Sequence, residues 1–173
     1  TIVLLVFSFI GMKMTKINYD ILVYLPNNYE TIKGQNILTD EFKMGSYSIA
    51  VVENANAKEL LAVEDKLRGV DGVGEVFSIY DVFGTNIPLE VLPSEVRNKV
   101  HKENTDVLFV TFLESTSNEK TINAVREIRN ITSDNYMFGG MSSMVLDTME
   151  LSEKEITIYV AIAVVLCLLV LEL

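Results

Sequence analysis

Few residues in this chain are equipped for chemistry. His101 is the only histidine, set in the charged run His101-Lys102-Glu103-Asn104. An imidazole can serve as a general base or a metal ligand, but either role needs partners. The one cysteine, Cys167, lies inside a long apolar run. A thiolate zinc centre therefore lacks its ligands and a disulfide framework lacks a second thiol, so His101 reads as a solitary surface residue. Gly140-Met141-Ser142-Ser143-Met144 comes nearest to a nucleophile motif. A hydrolase elbow has the form Gly-x-Ser-x-Gly at a strained strand-to-helix turn. Met144 stands where the second glycine belongs. The segment reads instead as a tight turn handing a strand over to a helix.

Two groups of carboxylates, Asp65, Asp71 and Glu75, then Asp147, Glu150, Glu153 and Glu155, lack the spacing of a calcium-binding loop and read as solvated faces. Gly69, Gly72 and Gly74 are not followed by the Gly-Lys-Ser/Thr of a phosphate loop. Asn130-Ile131-Thr132 is a glycosylation sequon, with meaning only in a secreted eukaryotic setting. Met137, Met141, Met144 and Met149 cluster late in the chain. Core filling is their ordinary use, and an adaptable apolar binding surface is the other. No catalytic residue, metal site or cofactor is expected, and the chain is not expected to be an enzyme.

The balance of 24 acidic against 14 basic side chains gives a net charge of −10 over 173 residues. A nucleic-acid interface carries a basic patch, and anionic lipid headgroups attract basic segments. The acidic balance argues against both and fits a solvated surface.

The elements that must position these residues begin and end in apolar runs. Ile156 to Leu171 reads ITIYVAIAVVLCLLVL without a charge, between Glu155 and Glu172. A bilayer-crossing helix needs roughly 20 apolar residues. Thr1 to Met12, TIVLLVFSFIGM, is also uncharged. It has no basic n-region before it and no small-residue cleavage site after it, so it does not read as a signal peptide. Both runs are expected to be parts of transmembrane helices, with one water-soluble domain held at the lipid bilayer between them.

Within that domain, Ile17 to Leu25 is β-branched and aromatic and reads as extended, broken by Pro26. Glu30 to Phe42 has a helical apolar spacing despite Gly34. Ser46 to Val52 alternates as a strand, with Tyr47, Ile49 and Val51 on one face and Ser48, Ala50 and Val52 on the other. Ala57 to Arg68 reads as a helix with Leu60, Leu61 and Leu67 on one face and Glu64 placed to pair with Arg68. Gly69 and Asp71-Gly72 end it. Val73 to Val82 reads as a second strand, and Ser94 to Val100 as a short helix capped by Ser94. Asp106 to Leu113, apolar on both faces, reads as a central strand. Thr116 and Glu119 have capping-box spacing before a helix from Ser117 to Asn130, with Ile122, Val125 and Ile128 as its stripe. Asn135 to Phe138 is a short strand, Gly139-Gly140 turns the chain, and Met141 to Lys154 reads as a helix leading toward the last apolar run. Strand, helix, strand, insertion, strand, helix, strand is the order of two split β-α-β units. It predicts an α+β, ferredoxin-like sandwich.

Ile17-Asn18-Tyr19-Asp20, then Tyr24-Leu25-Pro26, Gly34 and Glu41-Phe42, directly after an apolar run, resemble the segment behind the first membrane helix of the MMPL-like branch of the RND transporter superfamily. Gly140, Ser142 and Asp147 match a glycine, small residue and aspartate at the far end of the same domain. The resemblance spans the whole chain but at most about a quarter of such a transporter. It implies the end of a first helix over 1–12, a linker over 13–45, a porter-like domain over 46–140, a connecting helix over 141–155 and the start of a second helix over 156–173. It also implies proton-driven export of hydrophobic or lipid-like molecules. Such proteins are multi-pass, with this domain on the extracytoplasmic side, beside a second extracytoplasmic domain of the same protein. They leave room for a homo-oligomer. The matched positions are expected to be structural, and the proton-relay carboxylates are expected outside this chain. The ectodomain of an ABC-type permease and a membrane-tethered ligand sensor are the alternative readings.

Overall fold

The computed structural model describes residues 7–8, 10–11, 14, 19–85, 88 and 91–172. The first regular piece is a 3-10 turn, Ile21–Tyr24, followed by helix α1 (Glu30–Asp40). The core then runs β1 (Ser46–Glu53), α2 (Ala57–Arg68), β2 (Val73–Phe77), α3 (Ile79–Phe83), α4 (Ser94–Val100), β3 (His101–Lys102), β4 (Thr105–Phe112), α5 (Glu119–Ile131), β5 (Tyr136–Gly139) and α6 (Met141–Glu172). This is an α+β architecture on one antiparallel sheet, in the order β2-β4-β1-β5, with the short β3 also paired to β4. β4 is interior, as its two apolar faces require.

Strand periodicity decides which side is the core. Ser48, Ala50 and Val52 of β1 and Leu108, Val110 and Phe112 of β4 are buried and point to one face. Leu60 and Leu67 of α2, Ile122, Val125 and Ile128 of α5, and Val145 and Leu146 of α6 are buried in the same cluster. Each fully buried side chain of this size contributes about 1.5–3 kcal/mol. The other side of the sheet is apolar but open. Tyr47 stacks on Phe109 with ring centroids 5.5 Å apart, beside exposed Phe77 and Met137.

Several boundaries differ from expectation, each for a local reason. Tyr19 to Leu25 does not run extended: the Asp20 carboxylate accepts from Leu22 N–H at 3.0 Å and starts the 3-10 turn. β2 stops at Phe77 rather than Val82. There Ser78 Oγ accepts from Tyr80 N–H at 3.1 Å while Asp81 Oδ2 accepts from Ser78 N–H at 2.8 Å, a capping box that opens α3. Pro93, not Ser94, is the N-cap of α4, without a side-chain hydrogen bond. Asn118, not Thr116, caps α5, accepting from Lys120 N–H at 2.9 Å. The expected connecting helix and last apolar run are one unbroken helix, α6, of 32 residues.

From Met141 to Leu171, α6 is long and apolar enough to cross a membrane by length and composition. From Ile156 onward its described side chains are exposed. Of the first apolar run, Phe7, Ser8, Ile10 and Gly11 are helical; the remainder, Thr1 to Val6, Phe9 and Met12, lies outside the described residues.

Candidate functional site

Where the N-terminal turn, the start of β1 and the first turns of α6 meet, they leave a groove of about 590 Å³. Tyr19 packs against the core cluster and forms its floor. Tyr24, 75% exposed, stands at its rim. α6 contributes Met141, Met144, Val145 and Thr148. Asp20 and Tyr47 add a carboxylate and a phenol. The remaining wall is uncharged and, apart from Leu22 and Gly45, polar. Gln35 Nε2 donates to the Gly45 carbonyl at 2.7 Å, tying α1 to the start of β1. This is a mostly apolar cleft with a few polar groups placed to orient a ligand, within the usual size range of small-molecule sites.

The turn behind the groove depends on Gly140. Its φ is +93°, and a Cβ there would come within 3.3 Å of Ser48 Cα and Ile49 N. Only glycine lets β5 fold back this closely onto β1 before α6 starts. Ser143 Oγ meets Ser48 Oγ at 2.8 Å in the core, and Ser142 is fully buried. Neither serine is presented as a nucleophile. Asp147 takes a forked ion pair from Arg129, with Nη1–Oδ1 at 2.5 Å and Nη2–Oδ2 at 3.2 Å. Arg126 reaches Glu150 at 3.4 Å. These carboxylates fasten α6 to α5.

The structure therefore gathers some of the sequence-matched residues and disperses others. Tyr19, Asp20 and Tyr24 meet in the groove, and Gly140, Ser142 and Asp147 sit at the α6 start beside it. Leu25 and Pro26 close the 3-10 turn, with Leu25 N–H donating to the Leu22 carbonyl at 3.0 Å. Gly34 is exposed in α1, and Phe42 is 64% exposed beyond its end. Asn18 lies outside the described residues.

The methionines correct the core-filling expectation. Met137, Met141 and Met144 are each 44–54% exposed, two of them in the groove, and only Met149 packs on the core. His101 is also placed differently from expectation. It belongs to β3, and its Nδ1 lies 2.7 Å from Oδ1 of the buried Asp106. Gln35, Gly45 and Thr148 carried no sequence signal that marked them as lining. The methionine cluster was the one clue to this wall.

No family model matches this sequence, and a search of curated proteins found no match.

Proposed function

We propose that this chain is the extracytoplasmic substrate-path domain of a proton-driven exporter of the RND type, in its MMPL-like branch, acting on hydrophobic or lipid-like molecules. The observation that carries the reading is the groove's position on α6. Its wall ends at Thr148, and the uncharged stretch of the same helix begins at Ile156. Eight residues of helix span about 12 Å. An amphiphile leaving the bilayer along α6 meets the groove almost at once, with tyrosine and methionine for its apolar part and Asp20 and Gln35 for its polar end.

The topology supports the finer fold reading. β1-α2-β2 and β4-α5-β5 are two split β-α-β units with strands interleaved as β5-β1-β4-β2 and both helices on one sheet face. That order supports reading the domain as ferredoxin-like and, with the resemblance, as porter-type. The domain then spans 46–140, with α6 as both its last core element and a membrane tether. Its partners are the lipid bilayer and a second extracytoplasmic domain of the same protein, and rigid units of this kind rock against each other in alternating access.

The test places the complete protein that contains this chain in proteoliposomes, imposes a pH gradient and follows a fluorescent acyl lipid to an external acceptor. Export that depends on the gradient, and falls when Thr148→Trp narrows the groove, is the expected result. Export driven by ATP would overturn it in favour of a permease. Binding without export would overturn it in favour of a sensor.

A further inference from the structure

Away from the groove, at the β2–α3 corner, two carboxylates share one guanidinium inside the fold. Glu64 is fully buried on α2, on the same stripe as Leu60 and Leu67. Arg68 Nη2 donates to Asp81 Oδ1 at 2.8 Å and to the Val76 carbonyl at 2.7 Å, but reaches Glu64 Oε2 only at 3.4 Å. Its Nη1 donates to the exposed Asp65 at 3.3 Å. Asp81 also accepts from Ser78 N–H and Ser78 Oγ. Asp81 is thus well satisfied as an anion, whereas an ionised Glu64 has a buried oxygen, Oε1, with no donor on it. A buried carboxylate with an unpaired oxygen beside a second carboxylate favours its neutral form.

We propose that Glu64 and Asp81 bind one proton between them and act, with Arg68, as a proton-operated clasp holding the β2–α3 corner against α2. The proton resides on Glu64. Burial, chiefly, pushes the Glu64 carboxyl up to about 7; the hydrogen bond and negative charge of Asp81 add to this, while Ser78 and Arg68 oppose it. Burial also pushes Asp81 up, but its hydrogen bonds from Ser78, Glu64 and Arg68, with the Arg68 charge, hold it below the usual carboxylate range.

Among the described residues, Arg68 is the one cation that acts on either carboxylate. Tyr136 of β5 is raised by burial and by the charges of Glu59 and Glu64. Tyr80 of α3 is raised by burial and by the charge of Asp106. Asp106 itself is spoken for by His101. Glu75 of β2 is exposed. Loss of the proton therefore adds a buried anion, Glu64, to Asp81 and the exposed Asp65 already on Arg68, and the corner loosens.

The sign follows from linkage. Glu64 has a higher affinity for its proton folded than unfolded, so its contribution is complete below the unfolded value of 4.5 and is lost as pH rises through about 7. Asp81 works in the opposite sense, at lower pH, as its carboxylate becomes protonated. Between pH 5 and 8 the Glu64 shift raises the unfolding constant about 70-fold.

The experiment compares urea unfolding of the whole chain in detergent micelles, wild type against Glu64→Gln, from pH 5 to 8.5. The amide copies the neutral, protonated side chain. The difference between the two curves removes every group they share, His101 included. Wild type is expected to lose stability relative to Glu64→Gln as pH rises, with the difference centred near 7. Parallel curves would overturn the proposal. Should the variant fail to fold, carboxyl-13C spectra of the wild-type chain decide. One glutamate titrating near 7 sustains the clasp, and all glutamates titrating near their ordinary value of about 4.3 overturns it.

Discussion

Replacing Gly45 by alanine tests whether the junction of α1, β1 and the groove is as tight as its geometry says. Gly45 is buried where β1 begins, with its N–H donating to the Phe112 carbonyl at 2.8 Å and its carbonyl held by Gln35. A Cβ built there would lie 2.5 Å from the carbonyl carbon and oxygen of Glu114 and 2.6 Å from the Leu113 carbonyl oxygen. These are backbone atoms, so no rotamer change relieves the clash. Normal contact requires the two chains to part by ~1 Å. Overpacking of this kind costs about 1–3 kcal/mol, and straining the Gly45–Phe112 hydrogen bond adds about 1 kcal/mol. The expected total is about 2–4 kcal/mol.

Urea titration of the whole chain in micelles, followed by circular dichroism, measures the loss at constant m-value. Gly34→Ala is the matched control. Its Cβ meets nothing within 4 Å in an exposed helical position, so the change should stabilise by about 0.5–1 kcal/mol. A Gly45→Ala chain within about 0.5 kcal/mol of wild type, the range of an ordinary surface change, would refute the reasoning.

Two further outcomes follow from the packing and the ion pairs. Phe112→Ala empties a fully buried site at the end of the interior strand β4 and should cost about 3–5 kcal/mol in the same titration. A double-mutant cycle of Arg129→Ala with Asp147→Asn should give a coupling of only about 0.5–1 kcal/mol that shrinks in 1 M salt, since Asp147 is 60% exposed.

Much of the fold was legible because its signals are local. Gly69 ends α2, the stripe of Ile122, Val125 and Ile128 defines α5, and the apolar run of β4 marks an interior strand. The errors fell where short-range hydrogen bonding overrides apolar character. Ser78 and Asp81 have cap spacing, yet the β-branched and aromatic residues around them suggested continued strand. Glu64 was read only as an i,i+4 partner of Arg68. That pair is present, but positions 60, 64 and 67 share one buried stripe, and this spacing was the missed signal. The groove was the least legible feature. Its walls come from opposite ends of the chain, and no periodicity within one element encodes that meeting.

The unbroken course of α6 has a geometric consequence. Val145 and Leu146 are locked in the core, the uncharged stretch starts at Ile156, and no glycine or proline lies between them. The domain is therefore keyed in azimuth and height to whatever surrounds the exposed apolar turns. Adding one residue near Ser152 would swing the sheet by about 100° and lift it by about 1.5 Å, whereas adding seven would nearly restore the heading at a height about 10 Å greater. Such an insertion series separates the direction in which the groove faces from its height above the apolar turns.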